Sequence, residues 1–207
     1  MAIYMWREWS SKLAWYTFKW TLVNQADTSL SANLWSGSSI WQDYATVNNS
    51  IITCPLTQAF DFSTNPFTYT IRVKSYNRPS YNPRIISYPP IALIVEHYYS
   101  TYNLILKWST DERAAYCATF TPWVWNNITV AYSGSWNTIY LYKDGVKYTY
   151  PNFMDYPTWA YDYITLWLNG YPDDSYFYFW DFIVDTEQWT DQEVLDHYNN
   201  TKWDYTD

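Results

Sequence analysis

The stretch that decides the fold reads Asn127-Ile-Thr-Val-Ala-Tyr132, then Ser133-Gly-Ser-Trp-Asn137, then Thr138-Ile-Tyr-Leu-Tyr-Lys-Asp-Gly-Val-Lys-Tyr-Thr-Tyr150. Apolar and polar residues alternate in its three runs, and this period is typical of a half-buried β-strand. Asp144-Gly145 separates the last two runs, and such a pair favours the tight turn in which both central residues have positive φ. The stretch therefore predicts three consecutive antiparallel strands.

The same alternation recurs on both sides of this stretch. Phe67 to Lys74 predicts a half-buried strand with Phe67, Tyr69, Ile71 and Val73 on one face and Thr68, Thr70, Arg72 and Lys74 on the other. Further strands are predicted at 15–20, 91–95, 104–108, 163–168 and 176–184. Pro79, Pro83, Pro89 and Pro90 lie between the runs, as strand ladders require. Many short strands separated by turn signals predict an all-β, antiparallel two-sheet jelly-roll sandwich.

One short helix is predicted near the C-terminus. Thr190 and Glu193 have the spacing of a capping box, and Trp189 and Val194 have the spacing of a hydrophobic staple. The helix is expected to end near Asn199-Asn200. We interpret residues 1–50 as an N-terminal arm or extra strands packed on the sandwich, and residues 51–207 as the jelly-roll domain.

Composition excludes several classes of protein. Of the 207 residues, 23% are aromatic and only 15% are charged, with a net charge of −8. A disordered chain is poor in aromatic residues. A nucleic acid or an acidic membrane surface is bound through clustered Lys and Arg, so neither is expected as a partner. The longest apolar runs are strand-sized, so no membrane insertion is expected, and no signal peptide is visible.

Three segments together resemble the laminin G-like, concanavalin A-like lectin/glucanase superfamily. They are Phe60-Asp-Phe62 with the strand from Phe67, Trp125 to Val146 with its Asp-Gly hairpin, and Trp180-Asp-Phe-Ile-Val184 with Trp189-Thr-Asp-Gln-Glu-Val194. The resemblance covers roughly residues 55–200. It implies two curved antiparallel sheets. It does not imply one activity, because the fold carries lectins, glycosidases and adhesion modules.

The sequence contains no pattern that indicates catalysis. The glucanase branch of the superfamily carries its carboxylates close together on one strand, and that pattern is absent. His97 and His197 have no partners at metal-ligand spacing, so no zinc site is expected. Asp173 and Asp174 could supply oxygen ligands to calcium, although a solvated polar turn is the simpler interpretation. We therefore expect no enzyme and no cofactor, with calcium as the one alternative.

The aromatic residues, the sequons and the cysteines supply the candidate site residues. Ring-bearing residues in predicted loops could stack on sugars or contact proteins, although core packing explains most aromatic residues: Trp123, Trp125, Trp136 and Tyr171. Glycosylation sequons occur at Asn48, Asn127 and Asn199, and the latter two positions could be exposed. Cys54 and Cys117 are interpreted as two buried thiols, with a single disulfide as the alternative.

We interpret the chain as a non-catalytic binding or assembly module. The excess of aromatic residues over charges suggests a subunit of an extracellular particle, such as a virion structural or host-attachment protein, in contact with glycans or with other proteins of an assembly. Homo- or hetero-oligomers would fit this interpretation. The alternatives are a free-standing carbohydrate-binding lectin and, less favoured, a glycoside hydrolase.

Overall fold

The computed structural model describes residues 11–18, 22–34, 38–40, 44–48, 50–62, 64–76, 83–88, 91–98, 101–108, 114–134, 138–150, 160–168 and 176–202. Within these ranges the chain forms fifteen strands and one helix. The elements are β1 (Lys12–Tyr16), β2 (Asn33–Leu34), β3 (Ser38–Ile40), β4 (Ala45–Asn48), β5 (Ile52–Phe60), β6 (Phe67–Ser75), β7 (Arg84–Tyr88), β8 (Ile91–Tyr98), β9 (Thr101–Trp108), β10 (Ala114–Thr119), β11 (Asn126–Tyr132), β12 (Ile139–Lys143), β13 (Val146–Tyr150), β14 (Tyr161–Leu168), β15 (Tyr176–Asp185) and α1 (Asp191–Thr201).

The strands form two antiparallel sheets, which confirms the predicted sandwich. One sheet has the order β13-β12-β11-β6-β15-β4-β3, with β1 paired to β15 beside β4, and the other has the order β10-β9-β8-β7-β14-β5-β2. The hairpin between β12 and β13 turns at Asp144 and Gly145, whose φ angles are 52° and 80°. Both central residues therefore have the positive φ that the Asp-Gly pair predicts.

The core lies between the two sheets and is rich in aromatic side chains. In β6, β11 and β15 the inward positions alternate along each strand, and their largest members are fully buried: Phe67, Tyr132, Phe177, Phe179 and Phe182. Neighbouring rings meet edge-on or tilted, as at Phe62 and Phe67, whose centroids are 5.2 Å apart. Aromatic rings prefer these arrangements, and they bury large areas. Part of the aromatic excess is therefore the filling of the sandwich.

The prediction that β6 is buried on one face only is wrong. Thr68, Thr70 and Arg72, on the outward face, are also buried. The segment before α1 lies over this face, where the Trp189 backbone N–H donates to Thr68 Oγ1 at 2.8 Å. Thr129 donates to Thr70 across the adjacent strand at 3.0 Å. The covering is long-range, so the alternation in the sequence contains no sign of it.

The N-terminal part adds strands to both sheets. β1 pairs with the C-terminal half of β15, and β4 pairs with its N-terminal half. β2 pairs with β5 in the other sheet. The strand predicted at 15–20 lies earlier, at Lys12–Tyr16. Phe18 has a left-handed φ of 47°, which an extended strand does not allow, so β1 ends before it.

Helix α1 begins as the capping box predicts. The Glu193 backbone N–H donates to Thr190 Oγ1 at 3.3 Å, and the Thr190 N–H donates to Glu193 Oε2 at 2.7 Å. The helix ends at Thr201, and Val194 packs with Trp189 against the outward face of the eight-stranded sheet. No helix in the described part of the chain is long and apolar enough to cross a membrane.

Candidate functional site

Six aromatic residues gather on the outward face of the eight-stranded sheet, beyond the C-terminal end of α1. We call this group the aromatic face, and its members are Tyr44, Tyr76, Trp123, Trp125, Tyr178 and Trp180. Lys74 of β6 pairs with Tyr178 of β15, which in turn pairs with Thr46 of β4. Three neighbouring strands therefore present their outward side chains to one place.

The rings form a connected layer. The centroid of Tyr178 lies 4.7 Å from that of Tyr44 and 5.9 Å from that of Tyr76. Trp125 lies 6.4 Å from Tyr44 and 5.9 Å from Trp180. The Lys74 Nζ atom is 6.0 Å from the Trp125 ring, within the range of a cation–π contact. The tilted and edge-on contacts hold the half-buried rings in fixed orientations.

A bulge in β15 supplies Trp180 to this layer. Phe179 pairs with Val73 and Phe182 with Ile71, so both Trp180 and Asp181 lie opposite Arg72. An extra residue in one strand redirects its side chains and is frequent at functional places. Without the bulge, the alternation would place Trp180 and Asp181 on opposite faces of the sheet.

Arg72 connects the aromatic face to helix α1. Its Nε and Nη2 donate to the two carboxylate oxygens of Asp181 at 2.7 and 2.8 Å, and its Nη1 donates to the backbone oxygen of Thr201 at 2.8 Å. The guanidinium carbon lies 5.6 Å from the Trp180 ring. Arg72 and Asp181 are buried, so both charges depend on each other for compensation.

His197 of α1 lies beside this ion pair. Its ring packs edge-on against Trp189 at 5.3 Å, and its Nε2 atom is buried without a hydrogen-bond partner. Desolvation lowers the pKa of His197 to about 4, the Asp181 carboxylate opposes that shift, and the Arg72 and Lys12 charges add to it. The imidazole is therefore neutral near pH 7, when α1 packs on the sheet.

The loop before β11 carries the most exposed part of the aromatic face. Asn126 is fully buried; its Oδ1 accepts from the Thr121 N–H at 3.1 Å, and its Nδ2 donates to the Thr121 and Val124 oxygens at 2.9 and 2.8 Å. These bonds hold the loop against the end of β6. On this end Tyr76 is 61% exposed, Trp123 49% and Val124 48%, three of the six large exposed apolar residues in the described ranges.

The predicted ligand-binding residues are partly united by the structure. Trp123 and Trp125 lie in one loop and belong to the same face. Trp136 and Tyr171 lie outside the described residues, as do the calcium candidates Asp173 and Asp174. Sequence reasoning missed Tyr44, Tyr76, Tyr178 and Trp180. The alternation of β15 does place Tyr178 opposite the inward Phe177 and Phe179, and this was the available signal.

The sequons are placed as follows. Asn127 is buried, and its Nδ2 atom is inaccessible, because Asn127 lies on the covered outward face opposite Arg72. The expectation that it could be exposed for glycosylation is therefore wrong. Asn199 is partly exposed and accepts from Lys202 Nζ at 2.7 Å. Asn48 ends β4, and its side chain lies outside the described part.

The structure contradicts a bridge between Cys54 and Cys117. Cys54 is a free, buried thiol whose pKa is raised by desolvation. Cys117 lies on β10, and four strands separate β10 from β5 in the sheet order. At about 4.8 Å per strand step, the two backbones are roughly 24 Å apart, whereas a disulfide needs less than about 7 Å.

The acidic residues near the site hold structure together. Asp181 accepts from Arg72, and Asp185 accepts from Lys12 Nζ at 3.4 Å and from Trp189 Nε1 at 3.0 Å. Both belong to β15, whereas the sequence suggested turns for most acids. Asp191 accepts from Tyr142 and Lys147, whose bonds lower its pKa. Among the described residues no three His, Cys, Asp or Glu side chains are placed to hold a metal ion.

Comparisons with known proteins show the fold alone. No protein-family profile and no curated protein sequence matches the chain. Solved structures do match. The binding domain of botulinum neurotoxin serotype D superposes with a TM-score of 0.74 at 12% identity, over 94% of this chain and 53% of that one. The binding domain of botulinum neurotoxin DC, in complex with rat synaptotagmin II, gives 0.73 at 13%, over 94% and 52%.

A third match concerns botulinum neurotoxin type C, described as interacting with two ganglioside molecules. It has a TM-score of 0.70 at 13% identity and covers 93% of this chain and 51% of that one. The chain thus spans about half the length of these solved structures. The shared architecture is the all-β sandwich predicted from the sequence, while membership of the laminin G-like superfamily stays a prediction.

Proposed function

We propose that the protein is a non-catalytic binding module and that the aromatic face binds a glycan. The observation that carries the proposal is the grouping of Tyr76, Trp123 and Val124 as exposed apolar residues above half-buried, mutually packed rings. Ligand sites commonly combine such fixed aromatic surface with a few polar groups. Here the polar groups are Lys74 and the hydroxyl pair of Ser39 and Thr46, whose oxygens are 2.6 Å apart.

The size of the exposed patch favours a glycan over a protein. The exposed fractions of its three most accessible residues correspond to an apolar area on the order of 300 Å². A standard protein interface takes about 800 Å² from each partner. A few sugar rings fit the smaller area, and their hydroxyl groups need polar neighbours of the kind that β3 and β4 provide.

Three further points support a binding role. The matched solved structures are binding domains, one of them with a bound protein and another described with gangliosides. The buried acids of β15 are engaged in ion pairs with Arg72 and Lys12, so they are not available as a hydrolytic pair. We propose in addition that the module is displayed on an extracellular particle, such as a virion, as an attachment protein.

A glycan array tests the binding proposal. The probes are immobilised oligosaccharides of glucose, galactose, N-acetylglucosamine and sialic acid. The wild type is expected to bind at least one series, and Tyr76→Ala is expected to weaken that binding at least about fivefold. Tyr163→Ala is the matched control, because Tyr163 is 40% exposed on the other sheet. The absence of wild-type binding to every series would refute the proposal.

The display proposal needs a separate measurement. Purified particles from the source material are labelled with an antibody against the chain, and intact particles are expected to bind it. Labelling that appears only after the particles are disrupted would contradict display, without affecting the glycan proposal.

A further inference from the structure

Trp123 has a backbone conformation that its side chain disfavours. Its φ is 63°, in the left-handed region, where the Cβ atom of an L-residue approaches its own carbonyl oxygen. It follows Pro122 in a turn, a position at which positive φ normally selects Gly or Asn. The two other described non-glycine residues with positive φ have evident reasons, since Phe18 is fully buried in the core and Asp144 forms the hairpin turn.

The surrounding structure maintains this conformation. The Trp123 backbone N–H donates to the Ser75 oxygen at 3.0 Å, which fixes the turn to the end of β6. The buried Asn126 side chain binds the backbone on both sides of Trp123, at Thr121 and at Val124. A strained residue persists only where its neighbours over-determine it, and such residues concentrate at ligand-binding places.

The conformation gives no gain in burial. Trp123 remains 49% exposed, although tryptophan is the side chain with the most apolar area to bury. The hydrogen bond to Ser75 places it next to Tyr76, the most exposed member of the aromatic face. The strain therefore holds a large flat ring outward at the rim of the proposed site.

We propose that Trp123 is the anchor residue of the aromatic face, on which a ring of the bound glycan stacks. This inference rests on the function proposed above. Binding energy in recognition sites concentrates in a few rigid residues, often Trp or Tyr, that need no ordering when the partner arrives. The turn fixed by Ser75 and Asn126 provides this rigidity before binding.

Two substitutions at one position test the inference. Trp123→Ala and Trp123→Gly both remove the indole, but only glycine accepts the left-handed backbone without cost. Affinity is measured by titration with the array oligosaccharide series that the wild type binds, presented as free hexasaccharides or sialyllactose. Both variants are expected to bind at least tenfold more weakly. Trp123→Gly is expected to melt about 2–4 °C above Trp123→Ala.

The outcomes separate the inference from the function. If Trp123→Ala keeps its affinity within twofold while Tyr76→Ala loses it, the anchor is not Trp123, although the glycan proposal stands. If the wild type binds none of the probes, the proposed function fails and the inference fails with it. Equal melting temperatures of the Ala and Gly variants would overturn the role of backbone strain. Tyr163→Ala again serves as the control for loss of an exposed ring.

Discussion

The buried pair of Arg72 and Asp181 allows a quantitative prediction. Asp181→Leu leaves the guanidinium with the Thr201 oxygen and the Trp180 ring but removes both carboxylate bonds. A hydrogen bond to a charged group contributes about 1.5–3 kcal/mol. Removal of one partner of a buried pair costs about 3–5 kcal/mol in total, because the remaining charge is uncompensated. We expect the same loss for Arg72→Met, which leaves the Asp181 carboxylate unpaired.

The double variant Arg72→Met with Asp181→Leu is expected to be less unstable than the sum of the single variants. It removes both charges, and apolar side chains of similar volume take their place, which costs little or is even favourable. We therefore expect the double variant to lose less than about 2 kcal/mol, so that the coupling energy is at least about 3 kcal/mol. The Thr201 oxygen loses its Arg72 donor in this variant, which is why some cost remains.

Equilibrium urea unfolding at pH 7, followed by tryptophan fluorescence, measures all four proteins of the cycle. Their slopes against urea should agree, because the area exposed on unfolding is unchanged. The result that refutes the reasoning is additivity, with the loss in the double variant equal to the summed single losses within about 0.5 kcal/mol. Arg72 and Asp181 would then be solvated independently of each other.

Two further predictions concern pH and turn geometry. Since the folded-state pKa of His197 is about 4 and the unfolded value about 6.5, the unfolded chain takes up the proton first. The free energy of unfolding should fall by about 3 kcal/mol as pH drops from 6.5 to 4, and urea midpoints across this range should show a smaller fall in His197→Gln; parallel curves would contradict it. Gly134→Ala should cost about 2–4 kcal/mol, because its Cβ would lie 2.7 Å from the Pro66 backbone nitrogen, at a φ of 71°. Gly145→Ala should cost only about 1–2 kcal/mol, since the ends of the Tyr198 and Leu195 side chains can move, and equal unfolding midpoints for the two variants would refute the difference.

Local features were predictable because they depend on neighbours in the chain. The alternation from Phe67 and the Asp144-Gly145 turn locate β6 and the β12–β13 hairpin. The Thr190–Glu193 capping box marks the start of α1. Trp123 and Trp125 could be named as site residues because large rings in a predicted loop suggest contact surface. Each of these signals spans fewer than about ten residues.

The site itself depends on pairing between distant segments. Arg72 and Asp181 are 109 residues apart in the chain, and the bulge that brings them together exists only in the register between β15 and β6. The sequence by itself determined the strands, the turns and the two-sheet class, because backbone hydrogen bonding and side-chain alternation are local. Only the tertiary structure decided which outward face α1 covers, which polar residues it buries and where the aromatic rings remain accessible, because burial depends on what packs above a strand.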